Sequence, residues 1–101
     1  MPAGSSFATE LSEALRHVLG EARKSASLTL AEVAARSGLN RQAVAFIERG
    51  ERRPSIETFS RLSAALGMRP SEALMMAEAR LSGTLWKEFL AKPPSPTRKR
   101  K

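Results

Sequence analysis

The stretch LTLAEVAARSGLNRQAVAFIERG, residues 28–50, decides the fold. Apolar residues recur in it at three- and four-residue spacings, first over 28–37 and again over 40–49, with a glycine between the two runs. That pattern predicts two short amphipathic helices joined by a tight turn. Thr29 is a good N-cap for the first, Gly38 can take the positive φ that ends it, and Asn40 can cap the second. Helices joined so closely cross steeply. The crossing needs a small residue where the backbones meet and aliphatic side chains that return to the core. Ala34, Gly38, Val44 and Ile47 meet those needs, with Leu39 beside the turn.

The second of these helices sorts into two faces. With Arg41 at zero and about 100° per residue, Val44 and Ile47 fall near 300° and 240°. Arg41, Gln42, Ala45, Phe46 and Arg49 fall between about 0° and 140° on the same rule. That arc holds no acid, and Glu48 lies at the flank of the core face. Such a face suits a helix that enters a DNA major groove. Arginine can bridge guanine O6 and N7, glutamine can bridge adenine N6 and N7, and apolar atoms can meet a thymine methyl.

Working outward, residues 7–26 read as a first helix, with Leu11, Ala14, Leu15, Val18, Leu19 and Ala22 on one face and His17 opposite. Residues 24–27 (KSAS) connect it to the central pair. Beyond Gly50 the segment ERRP is a loop, and Ser55 caps a fourth helix that ends before Gly67. Pro70 fits the first turn of a fifth helix. That helix holds Leu74, Met75, Leu81, Leu85, Trp86, Phe89 and Leu90, with a bend expected near Gly83. No stretch alternates as a strand does. The expected fold is all-α with five helices.

Composition narrows the function. There are no cysteines, a single histidine and, since aspartate is absent, only glutamates among the ten acids. Disulfide frameworks and thiolate metal sites are thereby excluded, and a histidine without Cys or Asp makes a poor metal ligand. The serines lack the base and acid of a hydrolytic triad. No enzyme, metal or cofactor is expected. The net charge is +7, and its placement matters more than its size. Five of the seventeen basic residues lie in residues 92–101 without an acid, leaving twelve bases against ten acids elsewhere. The segment PPSPTRKRK cannot continue a helix and has nothing to bury, so residues 92–101 read as a disordered basic tail. No apolar run reaches the roughly 20 residues of a membrane helix, and residues 1–7 carry no leader pattern. A cytoplasmic, nucleoid-associated protein is expected.

The residues around the central pair carry a resemblance. Leu15 and Arg16, the LTLAEVAARSGLN helix and turn, and the segment IERGERRPSIETFSRLSAALG (residues 47–67) together resemble the phage-repressor, Cro-like (XRE) helix-turn-helix family of bacterial regulators, over about residues 11–78. The resemblance implies a five-helix lambda-repressor-like fold, operator binding as a homodimer, and repression. Carried over by position, it implies base contacts from Arg41, Gln42, Ala45 and Phe46. Phosphate contacts are implied for Thr29, Asn40, Arg49, Arg52 and Arg53, and phosphate contacts position a protein without specifying sequence. Arg16 matches a first-helix arginine that in relatives pairs with the glutamate found here as Glu48. Leu30 departs from the family, standing where many members have a glutamine that touches phosphate.

The apolar residues of the fifth helix exceed what four short helices need for cover. They can serve as internal core or as a dimer interface, and the interface reading assigns Leu81, Leu85, Trp86 and Phe89 to a second copy, because an exposed apolar stripe invites aggregation. The expected organisation is a DNA-binding domain over 7–78, a helical extension for dimerisation over 79–91, and the tail over 92–101. The expected partners are double-stranded DNA and a second copy of the chain. Two other readings share the fold: an antitoxin whose fifth helix binds a toxin, and a restriction–modification controller.

Overall fold

The computed structural model describes residues 7–91. They form six helices: α1 (Phe7–Ser25), α2 (Leu30–Ser37), α3 (Arg41–Glu48), α4 (Ile56–Ala65), α5 (Pro70–Ala79) and α6 (Gly83–Ala91). No strand occurs among the described residues. The proposed tail, 92–101, lies outside them.

The helix ends fall where local chemistry puts them. Thr29 Oγ1 accepts a hydrogen bond from Glu32 N at 3.0 Å while Thr29 N donates to Glu32 Oε1 at 2.8 Å, a reciprocal box that satisfies two otherwise orphaned donors. Asn40 Oδ1 accepts from Ala43 N at 2.8 Å, and Ser55 Oγ accepts from Thr58 N at 3.1 Å. Gly38 ends α2 in the left-handed region at φ 77°, and its N–H bonds Ala34 O. Pro70 occupies the first turn of α5, where no N–H is needed.

The expected five helices are six because the last one breaks rather than bends. Arg80 N and Leu81 N donate to the carbonyls of Ala77 and Glu78, three residues back, which tightens and closes α5. Ser82 Oγ then accepts from Thr84 N at 3.1 Å, and α6 starts afresh at Gly83.

The core is built from one face of each of the first five helices. Ala14, Val18 and Leu19 meet Val33, Ala34, Val44, Ile47, Phe59, Leu62, Ala65, Ala73 and Ala77. Ala73 and Ala77, one turn apart, have no exposed surface. Their methyl-sized side chains let α5 lie close along α1. Two buried serines are satisfied locally: Ser63 Oγ donates to Phe59 O at 2.9 Å and Ser37 Oγ to Ala34 O at 3.3 Å.

The apolar residues after Pro70 divide between the two roles the sequence leaves open. Leu74 and Leu81 pack on the core. The Phe89 ring stacks on Phe7 of α1 at 5.0 Å, so this expected interface residue is engaged within its own chain. Leu85 is half-buried. Trp86 is 43% exposed, and Met75, Met76 and Leu90 are more so.

Candidate nucleic-acid interface

α2 and α3 with the turn between them form a rigid frame. Ala34, Val44 and Ile47 are buried, and Gly38 makes the turn between α2 and α3. Because Val44 and Ile47 face inward, Arg41 and Gln42 point to solvent, and both are exposed. Neither Arg41 nor Arg53 makes an ion pair among the described residues. Ala45 departs from the angular reading. It is 8% exposed, a buried methyl rather than part of the outward arc. α3 spans barely two turns, and the chain folds back at its C-terminal end, where Glu51 N and Arg52 N both donate to Phe46 O at 2.9 and 3.3 Å.

The fold-back gathers a cluster at the exposed end of α3. Phe46 lies between two guanidinium groups, Arg49 at 5.2 Å and Arg52 at 5.5 Å from its ring centroid. Cations over an aromatic face are held by the ring quadrupole. Arg49 is also forked onto Glu51, with Nε 2.8 Å from Oε2 and Nη2 3.2 Å from Oε1. The Arg49 hydrogen bonds hold the Glu51 carboxyl below its usual range, and the same bonds raise Arg49. The outward face is therefore not free of acid once the loop is included. At the other end, the Thr29 hydroxyl oxygen is used by its helix cap, which leaves its O–H to donate outward. The neighbouring Glu32 carboxyl is lowered by its bonds to Thr29.

The interface is held against α1 by an arginine that the residue pattern did not single out. Arg23, not Arg16, binds the Glu48 carboxylate: Nε to Oε2 at 2.7 Å and Nη2 to Oε1 at 3.0 Å. Both side chains are largely buried, at 15% and 16% exposure. The remaining Arg23 amine, Nη1, donates to Leu28 O at 2.9 Å, so one guanidinium ties α1 to the end of α3 and to the connection before α2. The bonds to Glu48 raise the Arg23 pKa. Arg16 instead pairs with Glu13 at 2.9 Å and donates from Nη1 to the backbone carbonyl of Glu48 at 2.9 Å. The expected Arg16–Glu48 carboxylate pair is thus replaced by a main-chain contact. Arg23 lies seven residues after Arg16, about 20° away on the helical wheel, and this near-coincidence was the available signal.

Arg16 also explains Gly50. At φ 80° this residue is in the left-handed region, and a Cβ added there would sit 2.7 Å from Arg16 Nε. The positive φ favours glycine in this loop, which carries Arg52 and Arg53 past the Arg16 side chain. A cavity of about 260 Å³ lies behind α3, bordered by Arg16, Arg52, Arg53 and apolar residues of α1 and α4, and it is separate from the outward face.

The chain matches the family described as Helix-turn-helix over residues 19–72. Two crystal structures of the clp gene regulator ClgR from Corynebacterium glutamicum are similar at 29% identity, with TM-scores of 0.65 and 0.67. The matches cover 72% and 81% of this chain and 95% and 87% of those chains. A point variant of the restriction-modification controller protein C.Esp1396I matches at 24% identity and TM-score 0.62, covering 81% of this chain and 96% of that one. At that identity the likeness is one of fold. No curated protein matches the chain.

Proposed function

The chain belongs to the Cro-like (XRE) helix-turn-helix family, and from that premise we propose that it is a sequence-specific transcriptional repressor that binds an inverted-repeat operator as a homodimer. The observation that carries the reading is the exposed, unpaired Arg41–Gln42 pair at the first turn of a helix whose opposite face is locked into the core. These two side chains are the base readers, since they combine free donor and acceptor groups with a fixed direction. Ala45, whose methyl is buried, makes no base contact in this reading. Phe46 offers its ring edge to a thymine methyl while its face holds Arg49 and Arg52.

Phosphates are bound by Asn40, Thr29, Arg49, Arg52 and Arg53, which flank the reading face at both ends. Residues 7–78 form the DNA-binding domain and 79–91 the extension that joins two copies, through the exposed Trp86 and its neighbour Leu85, since Leu81 and Phe89 are engaged within the chain. Residues 92–101 act as a counterion-releasing arm. No helix among the described residues is long and apolar enough to cross a membrane, in keeping with work on cytoplasmic DNA. The likeness in fold to a restriction-modification controller keeps that subtype within the same reading.

In-vitro selection of DNA with the purified chain tests the proposal. An inverted repeat with half-sites about one turn apart is the expected product. Arg41→Ala should cost about 1–3 kcal/mol at one position of each half-site and relax the preference there. An unchanged motif in that variant would remove Arg41 from the reading surface. Co-purification of a second, different chain bound through α6 would favour the antitoxin reading.

A further inference from the structure

The loop after α3 places an acid where the proposed interface needs a cation. Arg49 and Glu51 share a two-point contact, 2.8 and 3.2 Å, on the exposed side of the cluster around Phe46. Both side chains are half exposed, at 53% and 54%. Exposed ion pairs contribute little to folding, and the loop is held by other bonds. Glu51 N is already bonded to Phe46 O at 2.9 Å, Arg52 N donates to the same oxygen, and Gly50 sets the turn. The pair therefore does little for the fold. Its consequence is electrostatic. A carboxylate and a phosphate offer the arginine fork the same pair of oxygens in the same geometry, so one fork cannot hold both.

We infer that Glu51 limits DNA affinity by occupying the Arg49 guanidinium that would otherwise grip a phosphate. The inference rests on the reading of the α3 face as a DNA-binding surface, and it assigns Glu51 a role there. DNA must displace the carboxylate from Arg49 before a phosphate can take the fork. Phosphates are the same at every sequence, so operator and random DNA are weakened by the same factor. Base preference remains with Arg41 and Gln42. Glu51 thus lowers binding to all DNA, offsetting part of the attraction from the net positive charge, and leaves the ratio between operator and random sequence unchanged.

The test is fluorescence anisotropy of the full chain with a selected operator duplex and a random duplex, from 50 to 200 mM salt, roughly the range over which phosphate contacts show their salt dependence. Glu51→Gln should tighten both duplexes by about three- to tenfold and steepen the salt dependence by up to about 0.9 in log–log slope for each copy of α3 on the DNA. In an Arg49→Ala background the same change should move the Kd less than about twofold, because the group it releases is gone. Unaltered affinity in Glu51→Gln, with wild type still binding, would overturn the inference and leave the DNA-binding reading intact. An equal gain with and without Arg49 would also overturn it, since Glu51 would then act only through the long-range field. Wild type that binds neither duplex would overturn the DNA-binding reading and this inference with it.

Discussion

The α2–α3 pair and the α5–α6 pair are both made of two short helices, but they are specified in different ways. In the first, each helix end has a side-chain cap or a left-handed glycine, and the aliphatic residues that face inward are nearly fully buried. In the second, α5 closes on main-chain bonds alone, and Met75, Met76, Trp86 and Leu90 remain in solvent. The first pair is fixed by residues with one workable place. The second holds large apolar residues that the chain covers only in part.

The sharpest way to break that contrast is to remove packing from the frame. Ile47 is 2% exposed and belongs to the central core. Ile47→Ala should therefore cost about 3 kcal/mol in chemical denaturation, within the usual range for deleting a large aliphatic side chain. A cost below about 1 kcal/mol would mean that the frame tolerates a void and is far softer than its burial implies. Arg23→Ala comes next. It strands the largely buried Glu48 carboxylate and should cost about 2 kcal/mol, below the 3–5 typical of fully buried pairs. Arg16→Ala should cost less than Arg23→Ala, because its partner Glu13 is exposed. The reverse order would restore Arg16 as the main brace.

Gly20 tests whether α1 has a local fault. It lies within the helix, and an added Cβ would stand 3.7 Å from Glu48 Oε1, an ordinary contact. Gly20→Ala should raise stability by up to about 1 kcal/mol through helix propensity. A loss would show that the Glu48 side chain needs the open space. The smallest effect belongs to α6. Trp86→Ala should change the stability of the dilute protein by less than about 0.5 kcal/mol, yet weaken self-association in sedimentation. A large change in the dilute protein would move Trp86 from the proposed interface to the core.

The same contrast governs what could be read from the sequence. Thr29, Gly38, Asn40, Ser55 and Pro70 announce their positions because capping, positive φ and a missing N–H are local requirements. Each of them is found where it was expected. The break between α5 and α6 was less legible, since Gly83 allows either a bend or a stop and the decision falls to Ser82 capping Thr84. Tertiary events were hidden. Ala45 is buried although the helical wheel puts it on the outward arc, and Arg23 reaches Glu48 across 25 residues of sequence. Glu51 escaped notice because it follows α3 in the loop, outside the helix whose face was being read. The exposure of Arg41 and Gln42 was legible, since it follows from the burial of Val44 and Ile47.

The Arg23 clasp has a consequence for how such a protein diversifies. One guanidinium fastens α1, the end of α3 and the carbonyl of Leu28, so the tilt of α3 against α1 is settled inside a single chain. The gap between two reading heads would be settled elsewhere, by whatever surface on α6 brings copies together. In the proposed reading, the spacing of half-sites and the bases recognised therefore rest on separate sets of residues, so that substitutions in α6 alter the first and leave the second unchanged.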